Sequence, residues 1–243
     1  MQRPAAKEFI GGVDEAGRGS VIGPLVVAGI SIGENGISLL HQLGIRDSKM
    51  LTPLARQNLF GSIVQLSSSL YISMITCHEV DSYVFLNGLN ELEAMTMAEV
   101  INNIRADRIY VDACDINLKR YKNTIKKYLW APKPNVCCLH HADSLNVVVS
   151  AASIVAKIIR DNEIQRIREM YHDIGSGYPS DKKTMIFIKN WVTRYKSAPN
   201  FARKSWKPVR IMLDKKKVLK TISTTDDKLR VLMHGLYRKV LNL

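Results

Sequence analysis

The chain has 243 residues, 46% of them apolar and 23% charged, ample for a hydrophobic core in one medium domain or a domain with an appendage. No apolar run approaches the roughly 18 residues that cross a bilayer, and the N-terminal M-Q-R-P-A-A-K-E-F lacks an apolar signal-peptide core, so no membrane role is expected and the cytoplasm is the expected compartment. The net charge is +13, and Lys182 to Lys220 alone holds thirteen basic residues against one acid, Asp214, which is the footprint of a polyanion grip or of a plain lysine-rich surface.

Phe9 to Val13 reads as a strand ending in Asp14, and Val21 to Ile32 as a second, rich in β-branched residues. Thr52-Pro53 reads as a helix start, Thr at the N-cap and Pro at the first helical position. Leu54, Leu59, Ile63 and Leu66 give that helix its apolar face. Leu70 to Cys77 reads as a third strand, and Asn90 opens a helix carrying Leu92, Met95, Val100, Ile101 and Ile104. A strand over Arg108 to Asp115 ends in acid, followed by a helix from Asn117 to Leu129 and a fifth strand from Asn135 to His140. Ser144 to Tyr171 reads as one long helix, buried on most faces in its first half. Beyond Gly175-Ser176-Gly177 the chain turns basic and helical, and Thr221 to Leu243 reads as a polar turn and an amphipathic helix. This order predicts an α/β fold with a mixed five-stranded sheet, antiparallel first and parallel later, flanked by helices. The expected division is residues 1–180 as the α/β domain and 181–243 as a basic helical subdomain.

Cys77, Cys114, Cys137 and Cys138 form no zinc knuckle and no disulfide framework, and read as reduced, mostly buried residues. The acids carry more. Asp14 and Glu15 end the first strand, Asp112 lies near the end of its own, and Asp143 follows the fifth. Parallel strands place sites beyond their carboxyl ends, so the four converge if these strands are neighbours. Each also has an ordinary reading: Asp143 as the N-cap of the long helix, Asp112 as a turn residue. Asp14 and Glu15 alternate, so they share a site only if the strand breaks there, and Ala16-Gly17-Arg18-Gly19 offers a break. Clustered carboxylates need a cation, and an oxygen-only donor set selects Mg²⁺ or Mn²⁺, with two ions able to clamp a displacement at phosphorus. With a basic surface, this points to a nuclease or phosphotransferase.

D-E-A-G-R-G at Asp14 to Gly19 and V-I-G-P-L-V-V-A at Val21 to Ala28 resemble the signature of ribonuclease HII, the type 2 ribonuclease H family. R-D-S-K at Arg46 to Lys49 with L-T-P after it, D-A-C-D at Asp112 to Asp115, A-D at Ala142-Asp143, and S-A-A-S-I-V-A-K at Ser150 to Lys157 are similar to its later motifs. So are R-D at Arg160-Asp161, G-S-G-Y-P-S-D at Gly175 to Asp181 and K-S-W-K at Lys204 to Lys207, with spacing most like the archaeal branch.

The resemblance implies a ribonuclease H-like fold, cleavage of the RNA strand of RNA–DNA hybrids, and incision 5′ of ribonucleotides embedded in duplex DNA, leaving 3′-hydroxyl and 5′-phosphate ends. It implies Asp14, Glu15, Asp112 and Asp143 as the catalytic metal-binding set. Gly17, Arg18 and Gly19 would sense the ribose 2′-hydroxyl through backbone groups, Tyr178 would sit against the adjoining sugar, and Lys49 would hold a phosphate. Lys204, Trp206 and Lys207 belong to the expected grip, Trp206 as packing. Ser20 stands where the family usually has proline, an exchange expected to loosen the sensor loop. His140 and His141 precede the fourth acid, in reach of a proton-transfer role or simply on the surface. The C-terminal D-K-L-R-V-L-M-H-G-L-Y-R-K-V does not spell a sliding-clamp motif, so clamp binding is not expected, and a monomer is. Two alternatives remain at this point: a non-catalytic hybrid-binding protein, and a DNA nuclease or integrase of the same broad fold.

Overall fold

The computed structural model describes residues 8–45 and 51–214; Lys49, its R-D-S-K motif and the helix read over Thr221 to Leu243 lie outside them. In chain order the elements are β1 (Phe9–Ala16), β2 (Leu25–Gly33), α1 (Glu34–Gln42), α2 (Pro53–Leu66), β3 (Ser69–Ile75), α3 (Cys77–Phe85) and α4 (Leu89–Asn102). They continue with β4 (Arg108–Asp112), α5 (Leu118–Lys127), β5 (Asn135–Leu139), the short α6 (Ala142–Leu145), α7 (Val147–Tyr171) and α8 (Lys182–Tyr195). The sheet runs β3-β2-β1-β4-β5, antiparallel across β3, β2 and β1, parallel across β1, β4 and β5. That is the expected mixed five-stranded sheet.

Local chemistry sets several boundaries. The Thr52 hydroxyl accepts from the Ala55 amide at 3.2 Å with Pro53 at the first helical position, as read. Cys77 opens α3 rather than closing the third strand, because Thr76 and Glu79 form a reciprocal capping box. The long helix starts at Val147, not Ser144. Asn146 is extended and its carboxamide oxygen accepts from Val148 and Val149 at 2.9 and 3.3 Å. Asp143 is therefore not its cap and sits instead in the separate turn α6. The second strand starts at Leu25. Val21 and Ile22 donate their amides to the Gly177 carbonyl at 2.8 and 3.1 Å, and Gly23 donates to that of Phe201 at 2.9 Å. The amides of Val21 to Gly23 are thereby spent on the Gly177 turn and on Phe201 instead of a sheet neighbour.

Two apolar layers sandwich the sheet. α4 and α5 cover one face through Val13, Met97, Ile101, Ile109, Tyr121 and Ile125. α7 covers the other, with Ala151, Ile154 and Val155 against Val26, Ala28 and Ile30. Lying between β1 and β3, β2 is buried at every position but its last, so it reads as a nearly continuous apolar run, with Ser31 paired to the Ser69 hydroxyl. Helix α7 meets β1 at Gly12, where any Cβ would lie 2.5 Å from the Val148 oxygen and the Val149 nitrogen. A third cluster joins Val21, Ile22 and Ile164 to Ile188, Ala202 and Val209, so α8 and the residues after it pack on the far half of α7. The Asp81 carboxylate anchors that part by accepting from the Lys204 and Ser205 amides, each at 2.9 Å.

Candidate active site

Val13 of β1 pairs with Val111 of β4, so the next residues, Asp14 and Asp112, come out side by side. β1 does not break between its two acids. It stays paired to β2 through Ala16 and turns only at Gly17, whose φ is +92°. Asp14 and Glu15 therefore leave opposite faces of the strand. Asp14 meets the Ser153 hydroxyl of α7, and Glu15 faces Glu93 of α4. They reach one pocket because it straddles the end of the sheet, not because the chain folds back.

That pocket, about 460 Å³, is lined by Asp14, Glu15, Asp112 and Asp143 together. Asp14 is 5% exposed and Asp143 2%. The Glu15 amide donates to Asp14 Oδ1 at 2.7 Å, and the Ala142 amide to Asp112 Oδ1 at 2.9 Å. Burial, then the Asp112 charge, pushes Asp14 up to about 8. Burial, then Glu93 and Asp14, holds Glu15 well above the usual carboxylate range. The buried Glu15 Oε2 has no hydrogen-bond partner. Oxygen-only donors, crowded like charges and an orphaned carboxylate oxygen fit a hard divalent cation.

Glu93 is a pocket neighbour that sequence reading misses. It is fully buried in the middle of α4, 2.8 Å from the Arg18 guanidinium, and accepts from the Cys114 thiol at 2.9 Å. Atoms of Glu15, Glu93 and Cys114 lie within 4.8 Å of one another, the one metal-compatible grouping found among the described residues. Burial and then the Glu93 charge push the Cys114 thiol far up, so it donates a proton instead of acting as a thiolate. The sole signal for Glu93 was an acid inside a run of apolar helix positions.

The Asp14 shift has a measurable consequence. Its folded carboxyl stays protonated to about pH 8, while the unfolded one ionises near 4. The folded state therefore binds the extra proton between these limits, and stability falls as pH rises through them. We expect the Tm of chelator-treated protein to drop between about pH 5 and 8, and Mg²⁺ or Mn²⁺ to raise Tm more at the upper end. A scanning-calorimetry series that rises over this window contradicts the assignment.

The Gly17–Gly19 loop and Tyr178 both line the pocket. Ser20, expected to loosen the loop, tightens it. Its amide and its hydroxyl both donate to the Gly17 carbonyl, at 3.2 and 2.8 Å, which proline could not do. The Arg18 guanidinium pairs with Glu93 and donates to the Asn90 carboxamide oxygen at 2.8 Å. The buried Arg160 guanidinium lies 4.4 Å from the Tyr178 ring centroid and donates to the Ser176 carbonyl at 3.2 Å. Arg56 and Lys157 also line the pocket and supply positive charge beside the acids. Nothing local in L-T-P-L-A-R marks Arg56. His140 and His141 are exposed and not among the lining residues. Lys204 and Lys207 are exposed; Trp206 is half-buried, packed in the C-terminal cluster with Arg203 4.9 Å over its ring, and reaches the rim of a second groove of about 680 Å³. That groove runs along Asn90, Asp115, Arg120 and Lys127.

A family model described as Ribonuclease HII matches residues 11–209. A ribonuclease HII of Cenarchaeum symbiosum is 44% identical over 201 residues, 83% of this chain and 96% of that protein. The crystal structure of ribonuclease H2 from Pyrococcus horikoshii superposes with a TM-score of 0.79 at 38% identity, covering 85% of this chain and 98% of that one. The structure of a PCNA:RNase HII complex from Archaeoglobus fulgidus matches with a TM-score of 0.75 at 33% identity, covering 82% of this chain and 95% of that one.

Proposed function

This chain belongs to the ribonuclease HII family and is an endonuclease of the ribonuclease H class, and on that premise we propose that it cuts the RNA strand of RNA–DNA hybrids and incises 5′ of single ribonucleotides in duplex DNA. The observation that carries this reading is one pocket lined at once by four carboxylates, the Gly17–Gly19 loop and Tyr178. A DNA nuclease or integrase has no use for a bare glycine wall and an aromatic ring in the acid pocket, and a pure binding protein has no use for buried, mutually repelling acids.

Asp14, Glu15, Asp112 and Asp143 would hold Mg²⁺ or Mn²⁺, two ions during turnover. Bound there, divalent ions supply Lewis-acid charge that activates water and steadies the leaving oxygen, giving 3′-hydroxyl and 5′-phosphate ends. The chain's own groups do the rest. Ser153 and the Glu15 amide orient Asp14, and the Ala142 amide orients Asp112. Arg56 and Lys157 face the incoming phosphate with positive charge. The Gly17–Gly19 amides test for the 2′-hydroxyl at a distance only a bare backbone allows. Tyr178, held against Arg160, bears on the neighbouring sugar. Lys49, outside the described residues, is assigned to a flanking phosphate, and the basic 181–243 part, with Lys204 and Lys207, to the duplex backbone.

The relative from Archaeoglobus fulgidus was solved with PCNA. Here the C-terminal stretch lies outside the described residues and lacks a clamp motif, so clamp binding is left out of the proposal, which is for a monomer acting in the cytoplasm on ribonucleotides left in DNA.

The testing experiment is a sequencing-gel map of a DNA duplex carrying one ribonucleotide, beside a long hybrid and an all-DNA control, with Mg²⁺ and with Mn²⁺. We expect one nick on the 5′ side of the ribonucleotide, cleavage of the hybrid and an intact control. Cutting of the all-DNA duplex would favour the DNA nuclease. Binding without any cutting would favour the non-catalytic protein.

A further inference from the structure

Arg203 lies 185 residues beyond Arg18 in sequence yet ends inside the sensor loop's foundations. It is completely buried. One of its terminal nitrogens donates to the Arg18 carbonyl at 2.7 Å and the other to the Gly23 carbonyl at 3.2 Å. Its own amide donates to Val21 at 2.9 Å. The fork thus bridges the two ends of the turn from Arg18 to Gly23. A buried guanidinium is ordinarily balanced by a carboxylate. This one spends its hydrogen bonds on backbone carbonyls, so what it supplies is loop geometry.

The geometry matters because a trans peptide unit points its C=O and N–H in opposite directions. With the Arg18 carbonyl held inward on Arg203, the Gly19 N–H of the same peptide unit faces the other way, out toward the pocket that Gly19 lines. Gly19 is exposed, and a Cβ built on it meets nothing within 4 Å, so the space beside its Cα is open. We propose that Arg203 is a positioning residue that presets the Gly19 amide for the ribose 2′-hydroxyl and thereby sets the discrimination between sugars. The inference rests on the reading of Gly17 to Gly19 as 2′-hydroxyl sensors. It also gives the C-terminal part a task at the site besides holding the duplex.

The test compares kcat/KM on duplexes with one ribonucleotide or one 2′-fluoro nucleotide, whose fluorine accepts hydrogen bonds far more weakly. Arg203→Met keeps the aliphatic stem and removes both donors. It should lower ribonucleotide kcat by ~10-fold or more, pull the ribose-to-fluoro ratio toward one, and leave duplex Kd within about threefold because phosphate contacts are untouched. Arg203→Lys should fall between, since a single ammonium cannot bridge both carbonyls. Ile188→Ala, on α8 in the apolar cluster that packs beneath Val21 and Ile22, leaves both Arg203 donors in place and should lower Tm and keep the ratio.

An unchanged ratio in Arg203→Met overturns the proposal, as does an equal loss of ratio in Ile188→Ala, which would make the effect one of packing. If Arg203→Met does not fold, an unchanged ratio in Arg203→Lys overturns it. A wild-type ratio near one overturns the sensor reading and this inference with it. A high wild-type ratio that survives in Arg203→Met overturns the positioning role alone.

Discussion

Asp14→Asn should lose turnover by on the order of 10³-fold or more while binding hybrid duplex within about threefold of wild type. Asn keeps the shape and one neutral oxygen, but removes the charge that a divalent ion needs from a crowded position of the pocket. Asp14 stands next to Asp112, is 5% exposed, and is the carboxylate that burial and Asp112 push up to about 8. The same crowding predicts a second effect of opposite sign. Without metal, the variant should melt higher than wild type near pH 8, because a neutral group relieves the repulsion. Single-turnover cleavage, duplex binding by anisotropy and calorimetry check the three parts. Near-wild-type turnover would remove Asp14 from the catalytic set.

Gly12→Ala should be the most damaging small change to the fold. The added methyl would sit 2.5 Å from the Val148 oxygen and the Val149 nitrogen. Both are backbone atoms at the start of α7, so relief means moving the helix, and the cost should reach ~3 kcal/mol or more. Activity should fall with stability, since α7 carries Ser153, Lys157 and Arg160 to the site. Gly61→Ala is the counterpart. Gly61 is exposed within α2 with open space around a Cβ, so alanine should stabilise by ~0.5–1 kcal/mol through helix propensity. Urea unfolding of both variants would show opposite signs; a Gly12→Ala midpoint at the wild-type value would mean that α7 does not seat on β1 as described.

Much of the site could be read before any fold was known, because its signals are local. An acid pair at the end of an apolar strand, a Gly-Arg-Gly turn and a Thr-Pro helix start each lie within a few residues, and the mixed sheet, antiparallel first and parallel later, followed from strand runs and helix alternation; which strands are neighbours did not. The misplaced boundaries were local contests decided elsewhere. Val21 and Ile22 have strand-like side chains, yet their amides go to Gly177. Cys77 extends an apolar run, yet Thr76 and Glu79 cap a helix there. Asn146 looked like a polar position along one helix, yet its side chain starts that helix.

Composition, the acid-ended strands and the ordered motifs thus let the sequence alone determine the class of chemistry and the family, and single out four acids that line one pocket. Tertiary structure decided what supports them. Glu93 is an ordinary helical glutamate until Arg18 packs onto it, 75 residues away. Arg203 is one lysine-segment cation among many until its fork closes on Arg18, 185 residues earlier. Side-chain type and spacing are written in neighbouring residues, whereas the burial of a charge depends on which distant elements remove its water, and that is set only when the layers pack.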